Sequence, residues 1–133
     1  MDVFAVGVGG FFGAIMRYLV GMWIPVTNSF PLGTLTINLL GCFFLAWFYT
    51  ITEKRWHINP TLKLAIGTGF TGAFTTFSTF SVETLNLIKS NHLVMALIYV
   101  LLSILGGIGL AITGFKLATL TVQPSGGMEG ELE

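Results

Sequence analysis

Charge is what this sequence has least of. Asp, Glu, Lys and Arg make up 9% of its 133 residues, against about a quarter in soluble domains. No formal charge stands between Arg17 and Glu53, and between Lys89 and Lys116 only His92 can acquire one. Such a chain cannot present a solvated surface, which excludes a water-soluble domain. Cysteine is nearly absent too. The single Cys42 excludes an intrachain disulfide, and within its apolar run it reads as a small buried hydrophobe. Formal net charge is zero and no basic patch stands out, so no nucleic-acid partner is expected. His57 and His92 fall in loops, no His/Cys/Asp group has metal-ligand spacing, and no serine shares a helical face with a base. These absences exclude an enzyme. The N-terminus lacks a basic leader region, and its apolar periodicity runs on into Arg17, so it does not read as a cleavable signal.

What is there is apolar length. Mean hydropathy is +0.84, and both charge-free gaps exceed the roughly 20 residues that cross a bilayer as a helix. In lipid only helices and closed barrels satisfy their own backbone. Barrel strands alternate apolar and polar residues, whereas Leu93–Leu105 is almost continuously apolar. The expected fold is therefore an all-α membrane protein with four transmembrane helices. They are expected near 3–22, 32–52, 61–89 and 93–120, forming one domain over 1–122, with a flexible acidic tail at 123–133. Gly9 and Gly13, Gly10 and Ala14, and Gly69 and Ala73 are spaced for close helix packing. Four helices put Lys54, Arg55, Lys63 and Lys116 on one side and Lys89 on the other. Positive-inside reasoning then expects a cytoplasmic N-terminus.

The polar residues inside these spans carry the functional signal. Gly69–Ser81 holds six hydroxyl residues and four phenylalanines with no charge. Its glycines and its pair Thr75 and Thr76 make a weak helix interior, which predicts a break around Gly72 to Thr76. Freed carbonyls at such a break can hold a cation; the alternative is an unbroken helix with hydroxyls bonded back one turn. Phe77 and Phe80 are three apart and share a face, and their ring edges are positive. Ser78 and Thr79 lie beside them. On the second helix Thr34, Asn38 and Cys42 form one stripe; on the fourth, Tyr99 and Ser103 form another. Arg17 is either an interfacial snorkelling residue or a positive group at the mouth of an anion path. Glu83 is expected near the end of the third helix, leaving no acid at a helix centre. A donor-rich, acid-poor interior favours an anion or a neutral solute.

Three of these segments, in order, resemble the CrcB, or Fluc, family of bacterial fluoride channels. They are Gly9–Ala14 with Arg17-Tyr18, Gly33–Gly41 containing Asn38, and Gly69–Phe80 followed by Glu83. The resemblance covers all but the tail. It implies passive fluoride export across the inner membrane through a homodimer of oppositely inserted subunits, with two pores and a central Na+. It assigns the Na+ to the backbone carbonyls of Gly72 and Thr75. It assigns the pore to Asn38, Phe77, Phe80, Ser78, Thr79, Thr34, Tyr99 and Ser103, and the vestibules to Arg17 and Glu83. Opposed insertion expects little positive-inside bias, so it pulls against the uneven lysine and arginine count. The alternatives are a small multidrug-type proton-coupled exporter and a non-transporting structural subunit whose polar stripes are packing glue.

Overall fold

The computed structural model describes residues 1–24 and 29–122. Residues 25–28 of the first loop, and the tail 123–133 expected to be flexible, lie outside the described residues. The chain forms α1 (Asp2–Trp23), α2 (Leu32–Lys54), α3 (Pro60–Leu64), a π-helical turn (Ala65–Phe70), α4 (Thr71–Phe74), α5 (Phe77–Lys89) and α6 (Leu93–Val122). α1, α2 and α6 are each long and apolar enough to cross a membrane. Their ends lie within two residues of the expected bounds.

Capping explains several boundaries. The Asn59 side chain accepts from Thr61 N–H at 2.8 Å, with Pro60 in the first helical position of α3. Asp2 Oδ1 accepts from the Thr61 hydroxyl at 2.7 Å, tying the start of α1 to α3. The C-terminal carbonyls of α6 lack intrahelical donors, and Arg55 donates to Thr121 O at 3.0 Å. Lys54 Nζ lies 5.5 Å from the Phe115 ring centroid at the same end. Asn91 takes the left-handed conformation, φ 59°, in the turn from α5 to α6.

α2 packs along α6, and α1 packs against the π turn and α4. The second contact is backbone against backbone. A Cβ on Gly9 would collide with the Ala65 carbonyl, and one on Gly13 with the Phe70 carbonyl. Leu35, Leu87, Ala96 and Tyr99 form a buried cluster, with Phe30, Leu39, Phe80 and Met95 packed on it. The exterior of α1 and α6 is apolar, from Phe4 and Phe11 to Leu97 and Leu105. An exterior of this kind, on helices of this length, makes the chain a multi-pass membrane protein.

Residues 60–89 do not form one helix. The hydrogen-bond pattern widens to π at Ala65–Phe70, where Thr71 Oγ1 donates back to Ile66 O at 3.0 Å. Helical structure resumes through Phe74 and then stops. Thr75 (φ −76°, ψ 160°) and Thr76 (φ −150°, ψ 120°) are extended. Within the stretch Gly72 to Thr76, Gly72 itself stays helical, because Thr75 N–H still bonds Thr71 O across it at 3.0 Å.

Candidate functional site

Two extended residues with no partner strand leave backbone groups to satisfy. Asn38 of α2 satisfies those of Thr76. Its Nδ2 donates to Thr76 O at 3.0 Å, and Thr76 N–H donates to its Oδ1 at 2.8 Å. A side-chain amide offers the same donor and acceptor pair as a peptide group. α2 approaches closely enough for this because residue 41 is glycine, where a Cβ would strike the Thr75 methyl.

Thr76 also starts α5. Its hydroxyl accepts from Thr79 N–H at 3.2 Å, donates to Thr79 Oγ1 at 3.0 Å, and lies 3.3 Å from Ser78 Oγ. These bonds have a consequence one turn earlier. In a continuous helix Thr76 N–H would serve Gly72 O, and Thr79 N–H would serve Thr75 O. Here both donors are directed elsewhere, which releases the two carbonyls at the positions expected to hold a cation. A Cβ on Gly72 would meet nothing within 4 Å, so the backbone there faces open space. Among the described residues no three His, Cys, Asp or Glu side chains converge.

Two cavities flank the break. One, of about 610 Å³, is lined by Asn38, Gly72, Thr75, Phe77, Phe80 and Ser103 among others. The second, of about 430 Å³, holds Arg17, Thr34, Thr79 and Glu83. Thr76 lines both. Phe77 and Phe80 have ring centroids 5.9 Å apart at 36°. Phe77 is 79% exposed, whereas Phe80 leans on Tyr99 with centroids at 5.1 Å.

Glu83 lies toward the loop end of the bundle, as expected: it lines a cavity with Ser29, Ser90 and His92 and meets Thr34 in the first turn of α2. Its Oε1 accepts from the Thr34 hydroxyl and its Oε2 from the Tyr99 hydroxyl, both at 2.8 Å. Thr34 and Tyr99 therefore commit their hydrogens to a carboxylate, and Tyr99 is fully buried and lines neither cavity. Ser103 lines the larger cavity but donates back to Tyr99 O at 2.7 Å. Ser78 is exposed and lines neither. The sequence reading missed Thr76 as an organiser. A signal existed: a threonine directly before a helical run is an N-cap signature.

Comparison with known proteins gives one answer. The family described as CrcB-like protein, Camphor Resistance (CrcB), matches residues 4–115. A protein of Desulfitobacterium hafniense named fluoride-specific ion channel FluC 1 is 50% identical over 80% of this chain and 94% of the relative. One of Oceanobacillus iheyensis, named fluoride-specific ion channel FluC, is 50% identical over 88% of this chain and 91% of the relative. A third, of Nitratiruptor, carries that name at 49% identity over 77% of this chain and 80% of the relative. These relatives are named as channels, not enzymes. With its matched span running from α1 to α6 and enclosing every residue of the break and both cavities, the chain belongs to the CrcB family.

Proposed function

We propose that the chain is the subunit of a fluoride-selective channel that lets fluoride leave a bacterial cell passively. The observation that carries this is its 50% identity to relatives named for fluoride conduction. The physical logic is replacement of water. Fluoride holds its hydration shell tightly, so a narrow path must offer substitutes. Asn38, Thr79 and Ser103, which line the two cavities, contribute polar groups, and Phe77 and Phe80 contribute positive ring edges. Arg17 attracts anions to the smaller cavity. Thr34 and Tyr99 act through Glu83, whose carboxylate they orient. Fluoride efflux from vesicles containing the purified protein tests this. Fluoride leaves and chloride is retained; absent or unselective flux overturns the reading.

Residues 60–89 serve in this reading as a fourth crossing, interrupted at membrane depth, within one transmembrane domain over 1–122. Irregular backbone is tolerated there only when protein satisfies it, and Asn38 meets that requirement for Thr76. A second copy inserted in the opposite sense would cover the exposed Phe77 and the open face at Gly72. Na+ at the centre of that dimer would be held by the Gly72 and Thr75 carbonyls, which have given up their helical donors. Such a cation supplies the positive charge that keeps carbonyl dipoles together. Sodium-free preparation is expected to impair assembly or flux, and indifference to sodium removes this part of the reading. The exporter alternative finds no support: α1 carries its carboxylate, Asp2, at its first residue, bonded to Thr61.

A further inference from the structure

Every polar atom of Thr76 is engaged. Its N–H and carbonyl pair with Asn38, and its hydroxyl accepts from Thr79 N–H while donating to Thr79 Oγ1. It is 8% exposed. A hydroxyl has one hydrogen. Thr76 gives its hydrogen to Thr79 Oγ1, the nearer of two contacts, since Ser78 Oγ lies at 3.3 Å and Thr79 Oγ1 at 3.0 Å. Thr79 is therefore an acceptor toward Thr76, and its own hydrogen is turned elsewhere.

The usual sink for that hydrogen is displaced. Helical hydroxyls bond back to the carbonyl four residues earlier, as Ser81 does to Phe77 O at 2.9 Å and Thr84 to Phe80 O at 2.7 Å. For Thr79 that carbonyl belongs to Thr75, whose extended backbone carries it off the axis of α5. Thr79 lines the cavity of about 430 Å³ that also holds Arg17 and Glu83, whose two carboxylate oxygens are taken up by the Thr34 and Tyr99 hydroxyls.

We propose that Thr76 is a positioning residue that aims the hydroxyl hydrogen of Thr79 at an anion in the Arg17 cavity. This rests on the fluoride-channel reading. The competing role is a simple cap on α5. The two roles use different atoms of Thr79: capping uses its N–H, aiming uses its Oγ1. A double-mutant cycle therefore separates them, read as fluoride efflux from vesicles after size-exclusion shows assembly like the parent.

T79V is expected to lower flux about ten- to a hundredfold, as for a lost hydrogen bond to a charged group. T76V lowers it by a similar factor, and T76S, which keeps the hydroxyl, restores it. In the T79V background most of the T76V loss disappears, leaving only what removal of the cap itself costs. A cap alone predicts the opposite, with the T76V loss repeated in full on T79V, and that result overturns the proposal. Parent-like flux in T79V also overturns it. Should T76V not assemble, Thr76→Ala takes its place in the cycle. A parent protein without fluoride flux overturns the channel reading itself, which sets that failure apart from failure of the aiming role.

Discussion

Asn38 takes the place of a neighbouring β-strand. It pairs with both backbone groups of Thr76, and its amide still has a second N–H free for the cavity it lines. Brace and pore donor are thus compatible roles for one side chain. N38L would leave a buried donor and a buried acceptor unpaired, at about 1–3 kcal/mol each. Denaturant or thermal unfolding in detergent is expected to show a loss of roughly 2–6 kcal/mol, accompanied by loss of fluoride flux. Parent-like stability would show that the backbone of Thr76 finds other partners.

At the scale of elements, α2 and the break meet at a glycine. G41A places a methyl against the Thr75 side chain, and overpacking of this kind costs about 1–3 kcal/mol. The expected result is lower stability and lower flux, whereas G109A on α6, where a Cβ meets nothing within 4 Å, leaves both unchanged. If the two variants behave alike, close approach at Gly41 is not what sets the break. These contacts also mark how far the sequence could be read. The charge-free runs locate α1, α2 and α6 because apolar length is a one-dimensional signal. Thr75 and Thr76 mark a weak helix because propensity is local. Placing the interruption at Thr75–Thr76 and not at Gly72 depends on Asn38, far away in sequence. The pairing of Glu83 with Thr34 and Tyr99 joins three helices, and no spacing rule along one helix reports it. The π turn at Ala65–Phe70 lies where Gly9 and Gly13 of α1 meet its carbonyls, a contact between two segments that neither reports alone.

At the scale of the molecule, three of the four basic residues that bias the topology count are tied to the protein. Lys54 sits over Phe115, Lys63 over Tyr49 at 5.3 Å, and Arg55 caps α6. The proposed dual insertion makes a direct prediction. A protease-cleavable tag at the C-terminus is expected to be accessible from both faces of the cell membrane; labelling from one face alone would point to a partner chain of opposite orientation. The pairing of Asn38 with Thr76 has a last consequence, for biogenesis. The interruption between α4 and α5 is held by tertiary contact: without α2 the N–H and carbonyl of Thr76 would lose their partner. α2 precedes it in the chain and leaves the ribosome first. On the four-crossing reading, the group that makes the interruption tolerable is already in the bilayer when Thr76 arrives, so the order of synthesis shields that peptide from lipid.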